Sequence, residues 1–314
     1  MSKQTSLREA ISTHISDGCS VALGLQMEQM IPFAAGHEIM RQKKRDLRLI
    51  GSISDILFDQ LIGAGCVQDV VAAWVGNVMM GSAYNFRRAV EQHNPGAGSD
   101  AKGDAARLKV FNMTNFTLAL ALQAGAMGVP YLPTRTAMGS DVVKNNHFFY
   151  QIISPFEPKE TLLAVRALQP DVAIVHVQRA DAEGNAHCWS NFGVMIEGVR
   201  AAKRVIVTCE EIVAPEVIAS DPNRTVVPGF LVNAVVECPL GGHPSPVQGY
   251  YKRDDAAFQQ YHEESRTAAK FEQWTSRWVY GVRDRAEYVK KLGERAQELA
   301  VKQHAYAAPA DYGY

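Results

Sequence analysis

Short, uninterrupted apolar runs recur along this chain, and they restrict its fold more than any other feature of the sequence. The clearest lie within Asp171–Val177 and Arg204–Cys209, and a shorter one is Val21–Leu23. Each run is too short for a typical helix and lacks polar alternation, which is the pattern of a strand buried on both faces of a parallel sheet. Segments with helical spacing precede and separate the runs, for example Ser6–Ile15 before the first run and Thr114–Gly128 between later ones. Strands that alternate with helices predict an α/β fold with a mainly parallel, open sheet flanked by helices.

Six more segments have a strand-like composition. They are Leu47–Ser54, Val67–Val75, Val110–Met113, Val129–Pro133, Glu160–Leu168 and Phe230–Val236. A Gly-, Asp-, Asn- and Ser-rich segment at 93–103 is predicted to be a surface loop.

The C-terminal part of the chain has a different pattern. From Asp254 to His304 the spacing predicts long amphipathic helices. The aromatic residues expected on their apolar side are Phe258, Tyr261, Phe271, Trp274, Trp278 and Tyr280. We therefore expect one domain over residues 1–304, with these helices as a C-terminal appendage, and a loose tail at 305–314.

Composition excludes several classes of partner. The chain is 47% hydrophobic and 21% charged, with a formal net charge of -1, so it has no bulk attraction for nucleic acid or an anionic membrane. No apolar stretch reaches the length that crosses a bilayer, and the N-terminus lacks the apolar core of a signal peptide. The five cysteines are scattered without a Cys-x-x-Cys, which favours a reducing cytoplasm over a disulfide scaffold or a zinc ribbon.

The first candidate for a functional loop follows the first predicted strand. Gly24 comes directly after the apolar run, where the chain must bend sharply or allow a ligand to approach its backbone. Pro32 then precedes a segment with helical spacing. In open α/β sheets, ligands bind beyond the carboxyl ends of the strands. On spacing alone, an ordinary strand–helix turn remains the favoured interpretation.

Polar residues follow several other predicted strands. Ser52 ends the second strand, Asn77 follows the third, and Asn115 opens a helix. Each could contact a substrate in a cleft, but loop stabilisation and helix capping are alternatives. We favour loop stabilisation for Asn77, whereas the two interpretations are balanced for Asn115. Gly139 and Ser140, in a polar turn, are weaker candidates.

Signatures of several enzyme classes are missing. The sequence has no Gly-x-Ser-x-Gly, no P-loop and no Gly-x-Gly-x-x-Gly after a strand, which disfavours serine hydrolases, ATPases and dinucleotide oxidoreductases. His187 and Cys188 lack companions at metal-ligand spacing, so no metal is expected. His176, inside an apolar strand, is predicted to be a hydrogen-bonded core residue.

The segment from Asp17 to Pro32 resembles the signature of the A subunits of the class I coenzyme A transferases. Asp17-Gly18, the short strand, Gly24 and Pro32 fit that signature. Leu25 and Gln26 depart from it, because the family usually has a second glycine and a phenylalanine there.

Other segments extend the resemblance over nearly the whole chain. They are Leu61–Val67, Gly128–Pro133, Pro170–Asn185, Glu210–Ile212, Pro228–Gly229, Gly242–Ser245 and, as in the C-terminal helices of the glutaconate-type A subunits, Trp278–Val279 and Tyr288–Gly293.

The resemblance implies the A subunit of a heteromeric CoA-transferase, which moves CoA between an acyl-CoA and a carboxylic acid. It implies that the nucleophilic glutamate lies on the partner, the CoA-transferase B subunit, that coenzyme A is a co-substrate, and that no cofactor is permanently bound. Dicarboxylic or branched acyl groups are consistent with it. Gly24 and Gln26 would then offer donors to a developing oxyanion. The alternatives are a related hydrolase or decarboxylase acting on a CoA thioester, and a non-enzymatic ligand-binding module. A sensor module would normally carry a basic recognition helix, which the sequence lacks.

Overall fold

The computed structural model of the chain describes residues 2–91 and 108–301. The predicted surface loop at 93–103 and the predicted loose tail at 305–314 lie outside the described residues. The helices are α1 (Leu7–His14), α2 (Phe33–Arg41), α3 (Ile56–Gly63), α4 (Tyr84–Glu91), α5 (Asn115–Met127), α6 (Met195–Ala201), α7 (Pro215–Ala219), α8 (Asp255–Ser265), α9 (Ala268–Thr275), α10 (Arg285–Leu292) and α11 (Glu294–Leu299). The strands are β1 (Ser20–Ala22), β2 (Leu47–Ile53), β3 (Val67–Trp74), β4 (Lys109–Asn112), β5 (Tyr131–Thr134), β6 (Phe149–Ile153), β7 (Thr161–Arg166), β8 (Val172–Ala180), β9 (Ala186–His187), β10 (Val205–Ile212), β11 (Thr225–Val227) and β12 (Val232–Glu237).

The main sheet has nine strands, and most of its pairings are parallel. Seven strands run parallel in the order β12-β10-β8-β1-β2-β3-β4, and β9 and β11 add antiparallel pairings at the end of β8. The chain proceeds from β1 towards β4 in one direction and from β8 towards β12 in the other. The boundary between β1 and β8 is therefore a topological switch point, where open α/β sheets form a binding crevice. The predicted α/β fold with a mainly parallel sheet is confirmed.

A second sheet has three strands, which are antiparallel in the order β5-β7-β6. The segments Val129–Pro133 and Glu160–Leu168 contain strands, as predicted. The sequence pattern does not show that they form a separate antiparallel sheet, and it does not predict the strand at Phe149–Ile153. Strand pairing is decided by contacts between separate segments, which a local apolar pattern does not record.

The two faces of the main sheet carry separate hydrophobic cores. One core contains Ile11, Phe33 and Phe58 from the first three helices, together with Phe258 and Trp274 from the C-terminal helices. The other core holds residues of α5 and α6 and the inner face of the small sheet, among them Leu118, Met195, Phe149 and Val165. Because both faces are covered, the central strands can be apolar throughout, as the sequence indicated.

The C-terminal helices are shorter than predicted. Asp254, Thr267 and Asp284 each accept a hydrogen bond at a helix N-terminus, so α8, α9 and α10 each begin at a new cap. Five of the six predicted aromatic residues are buried or partly buried, but Tyr280 is 47% exposed. The expectation for Tyr280 is wrong because the helix ends there: a π-helical turn stops at Tyr280 and Gly281 leaves the helical conformation.

Candidate active site

The carboxyl ends of the parallel strands bring the predicted site residues to one edge of the sheet. Gly24 follows β1, Ser52 lies in β2, Asn77 follows β3, and Asn115 begins the helix after β4. Gly24 lies at the switch point between β1 and β8. We use the name signature loop for residues 24–32.

Gly24 is required by packing within the chain. Its φ is +62°, and a Cβ built there would lie 2.6 Å from Ser54 Oγ and 2.8 Å from Ser54 Cα. Ser54 Oγ in turn donates a hydrogen bond to the carbonyl of Leu23 at 3.2 Å. The ends of β1 and β2 therefore approach too closely for a side chain at position 24, whatever else the loop binds.

Gln26 points inward. Its side chain is 2% exposed, and Nε2 lies 3.4 Å from Cys188 Sγ and 3.7 Å from Met30 Sδ. The loop backbone beside it is also tightly packed, since a Cβ on Gly193 would lie 2.3 Å from the Leu25 carbonyl oxygen. In this conformation the Gln26 amide holds the loop against the segment that follows β9 and is not presented to solvent.

The side chain of Asn77 stabilises its own loop. Its Oδ1 accepts hydrogen bonds from the backbone N–H groups of Met79 and Met80, both at 3.1 Å, and its Nδ2 donates to the Phe258 carbonyl at 3.1 Å. This geometry favours the loop-stabilising interpretation. Ser52 is also fully buried, and its Oγ has no hydrogen-bond partner among the described residues.

Asn115 is exposed at the first position of α5 and makes no side-chain hydrogen bond within the part of the chain that the structure describes. The alternative that Asn115 caps the helix is wrong. Thr114 is the N-cap, and it forms a reciprocal capping box with Thr117. The Asn115 amide is therefore available to a ligand.

Gly139 and Ser140 lie in the connection between β5 and β6. Gly139 has a φ of +80° and open space around its Cβ position, while Ser140 Oγ donates to the Ala137 carbonyl at 2.8 Å. The structure brings Gly24 into contact with Ser54, but it shows no contact between the signature loop and Asn115, Gly139 or Ser140.

Asp55 is a residue at this edge that the sequence did not single out. It is fully buried, and its φ is +47°. Its Oδ1 accepts a hydrogen bond from Val78 N–H at 3.1 Å, and its Oδ2 forms an ion pair with Arg253 at 2.9 Å. Burial raises the pKa of Asp55 to about 6, although Arg253 opposes the shift. Arg253 also lies 3.7 Å from Glu28 in the signature loop. The pair therefore ties the end of β2 to the C-terminal part of the chain beside the loop. A positive φ at a non-glycine residue marks a conformation that surrounding contacts must hold.

A second network supports the signature loop from the other side. Met30 N–H donates to the Pro246 carbonyl at 3.0 Å, and Ser245 Oγ donates to the Glu28 carbonyl at 2.8 Å. The segment Pro239–Pro246 that makes these contacts is itself held by Glu210, which accepts from Leu240 N–H at 2.8 Å.

Glu210 also anchors this segment to the core of the sheet. Its carboxylate lies 2.7 Å from His176 Nε2 and accepts from Tyr251 Oη at 2.9 Å. His176 Nδ1 lies 2.9 Å from Thr208 Oγ1, so both ring nitrogens of the buried histidine have partners. Burial and the neighbouring Glu210 raise the pKa of Tyr251 well above its usual value. His176 is thus a hydrogen-bonded core residue, as predicted.

Residues 2–91 and 108–301 contain neither a candidate metal site nor a membrane-spanning helix. No group of three or more His, Cys, Asp or Glu side chains there is arranged to hold a metal ion. No helix in the same ranges has the length and apolar character needed to cross a membrane. All five cysteines are free and buried.

Comparison with known proteins places the chain and its fold in one family. The coenzyme A transferase family model matches residues 4–238. The chain is 38% identical over 294 residues to the A subunit of the 3-oxoadipate CoA-transferase of Pseudomonas knackmussii, covering 94% of this chain and 99% of that protein. It is 33% identical to the A subunit of the glutaconate CoA-transferase of Acidaminococcus fermentans, over 93% of this chain and 92% of that protein.

Solved structures agree with the sequence comparisons. The crystal structure of glutaconate coenzyme A-transferase from Acidaminococcus fermentans matches with a TM-score of 0.88 and 31% identity, over 96% of this chain and 97% of that one. The decarboxylase AibA/AibB matches with a TM-score of 0.72 and 28% identity, over 88% of this chain and 100% of that one. This chain belongs to the coenzyme A transferase family, and the resemblance drawn from its sequence is confirmed.

Proposed function

We propose that the chain is the A subunit of a heteromeric CoA-transferase that moves CoA between an acyl-CoA and a carboxylic acid. The observation that carries this proposal is the nearly full-length similarity to two proteins named as A subunits of such enzymes. Both names, 3-oxoadipate and glutaconate, denote dicarboxylic acids, so a dicarboxylic acyl group is the first substrate class to test. A branched acyl group is the second.

The proposal assigns the covalent step to the partner, the B subunit. A carboxylate nucleophile divides acyl exchange into easier steps. It attacks the acyl-CoA thioester and expels CoA thiolate, which leaves an acyl-glutamyl anhydride; the thiolate then attacks the glutamyl carbonyl of this anhydride, releases the carboxylic acid and leaves a glutamyl-CoA thioester. At the carboxyl edge of the main sheet, Asp55 is buried and paired with Arg253. Glu28 is the more accessible carboxylate, since its side chain is 47% exposed. The assignment to the B subunit therefore requires that Glu28 is dispensable for the chemistry.

The role proposed for this chain is to build one wall of the site. Gly24, Gln26, Ser52, Asn77, Asn115, Gly139 and Ser140 are the residues we propose for that wall. Gln26 and Asn77 would act through the loop conformations that they hold, whereas the exposed amide of Asn115 would act by direct contact. Coenzyme A enters as a co-substrate, and we propose no resident cofactor. We further propose a cytoplasmic location, consistent with five free cysteines, and one domain over residues 1–304.

One experiment tests the assignment of the nucleophile. The complex with the B subunit is incubated with glutaryl-CoA or succinyl-CoA and then with hydroxylamine, which releases CoA from an enzyme thioester and leaves a hydroxamate. We expect intact-mass analysis to find the hydroxamate on the B subunit, with this chain unmodified. Glu28→Gln in this chain is the matched control and should keep the transfer rate within about threefold of the wild type, because a half-exposed ion pair contributes little. Modification of Glu28, or loss of activity in that variant, would contradict the proposal.

The hydrolase and decarboxylase alternatives differ from the transferase in their need for an acceptor. An amide such as Asn115 has no useful basicity near neutral pH, so it cannot activate water as a carboxylate can. We therefore expect release of free CoA to be slow without an acceptor acid, and acyl transfer to be fast with acetate or a dicarboxylate present. Rapid release of CoA that does not depend on an acceptor would favour the hydrolase, and release of CO₂ would favour the decarboxylase.

A further inference from the structure

The signature loop adopts a backbone conformation that its own residues disfavour. Met27 has a φ of +64° and Met30 has a φ of +47°, although neither residue is a glycine. Residues with a Cβ rarely adopt this left-handed conformation, and they keep it only where neighbouring contacts hold them. The loop therefore depends on the residues packed around it for the shape that it presents at the carboxyl edge of the main sheet.

Three hydrogen bonds to two adjacent residues hold the second half of this loop. Ser245 Oγ donates to the Glu28 carbonyl at 2.8 Å and accepts from Ile31 N–H at 3.5 Å. The Pro246 carbonyl accepts from Met30 N–H at 3.0 Å. Ser245 and Met30 are both fully buried, so solvent does not compete for these bonds. One hydroxyl group, that of Ser245, therefore holds the loop backbone on both sides of Met30.

The C-terminal helices fix the position of Ser245. Arg285 in α10 donates from Nη2 to the His243 carbonyl at 2.9 Å. The buried His243 ring lies between two further partners, with Nδ1 2.9 Å from Tyr288 Oη and Nε2 2.8 Å from Asp254 Oδ2. These groups come from α10 and from the N-cap of α8. All of them lie beyond residue 238, where the match to the family model ends. The C-terminal appendage thus reaches the signature loop through Ser245.

We infer that Ser245 is a positioning residue for acyl transfer, and that the C-terminal helices act on the site through it. This inference rests on the proposed function, which assigns the signature loop to the wall of the site. Ser245 is fully buried and acts through the loop rather than on the substrate. Without its hydroxyl, Met30 could relax towards an ordinary φ, and the loop donors proposed at Gly24 and Gln26 would be displaced. A small displacement of groups that orient a reaction lowers its rate strongly.

The test compares two buried serines in the chain co-expressed with the B subunit from the same source. Ser245→Ala removes the hydroxyl that holds the loop. Ser265→Ala is the matched control, because Ser265 is 1% exposed and its Oγ donates within its own helix, to the His262 carbonyl at 3.4 Å. Hydrogen exchange of the peptide that covers residues 24–32 is measured by mass spectrometry. The rate of transfer from glutaryl-CoA or succinyl-CoA to acetate is expressed per mole of intact heteromer, so that a loss of folded complex does not lower kcat.

The two variants should differ in both measurements. We expect Ser245→Ala to raise the exchange rate of the loop amides about fivefold or more, because it removes two hydrogen bonds that hold them. It should lower kcat about tenfold and change KM by less than about threefold, since the orientation of reacting groups is lost while most binding contacts remain. Ser265→Ala should leave the exchange of the loop and kcat at their wild-type values.

The outcomes separate this inference from the proposed function. If loop exchange rises in Ser245→Ala but kcat does not change, the role of Ser245 is structural, the inference is overturned and the proposed function stands. Unchanged loop exchange would overturn it as well, because the hydroxyl would then not hold the loop. Equal losses of kcat in Ser245→Ala and Ser265→Ala would show a general effect of the C-terminal helices and would also overturn it. If the wild-type complex transfers no CoA to an acceptor acid, both proposals fail.

Discussion

The signature loop and the small antiparallel sheet use their side chains in opposite ways. Around the signature loop, most polar groups are buried and already paired within the chain, as in the Asp55–Arg253 pair and the Asn77 loop, with the Ser52 hydroxyl as an exception. On the small sheet, apolar groups such as Tyr150 are exposed to solvent. The first region is complete as it stands, so it can fix the shape of a site before a ligand arrives. The exposed side chains of the second region contribute no burial free energy to the folded chain.

This contrast predicts that substitutions at the signature loop lower the free energy of unfolding. Substitutions at exposed positions should instead change the affinity for a partner or the catalytic rate. The largest effect is expected for Gly24→Ala, because the added Cβ meets Ser54 and the backbone needs a positive φ. We expect a loss of about 3 kcal/mol in the free energy of unfolding, measured by urea denaturation.

Gly65→Ala is the matched control for this substitution. Gly65 also has a positive φ, +72°, but nothing lies within 4 Å of its Cβ position. It should lose only about 1 kcal/mol, which is the cost of the left-handed backbone alone. Equal losses at the two positions would show that close packing against Ser54 does not matter.

The sequence alone was sufficient to predict strands and helices that have a clear local apolar pattern. The strand predicted at Val67–Val75 is observed at Val67–Trp74, and the helix predicted at Thr114–Gly128 is observed at Asn115–Met127. The small sheet was missed because its pairings depend on which segments meet, and β6 carries no local pattern that distinguishes it. The family itself could be recognised because its motifs are spread over the whole chain.

Prediction of the site from the sequence is limited in a similar way, because contacts between distant residues leave no local pattern. The positive φ of Asp55 and its pairing with Arg253, which is 198 residues later in the chain, leave no local pattern in the sequence. The capping box of Thr114 and Thr117, in contrast, could have been predicted from their spacing of three residues, and it would have removed capping as a role for Asn115.

A smaller effect, with a defined pH dependence, is expected for Asp55. Because burial raises the pKa of Asp55 to about 6 from its ordinary value of 3.8, the folded state keeps its proton where the unfolded state has lost it. The stability that this group contributes is therefore full below about pH 4 and is lost as the pH rises through about 6. Relative to Asp55→Asn, the wild type should lose on the order of 2 kcal/mol over this range. Parallel pH profiles of unfolding for the two proteins would contradict the prediction.

Asp171 provides a control with the opposite sign. Burial also disfavours its ionised form, but hydrogen bonds from Lys203 and Ser20 outweigh burial and lower the pKa of Asp171 to about 2. Its contribution to stability is present above about pH 4 and is lost as the pH falls towards about 2. The difference in stability between wild type and Asp171→Asn should therefore grow as the pH rises through this range. A slope of the same sign as that for Asp55 would show that the two carboxyl groups do not differ as the structure indicates.

The smallest effect on folding is expected for Asn115→Ala. Because the Asn115 side chain is exposed and unpaired among the described residues, and because Thr114 caps the helix, we expect the free energy of unfolding to change by less than about 0.5 kcal/mol. Asn77→Ala, which removes three hydrogen bonds from the side chain to the backbone, should cost about 2 kcal/mol or more. If Asn115 contacts the substrate, the complex carrying Asn115→Ala should lose about tenfold in acyl-transfer rate while its thermal unfolding and its affinity for the B subunit stay unchanged. A wild-type transfer rate in that complex would remove Asn115 from the site, and the available amide at the start of α5 would then be only an exposed side chain.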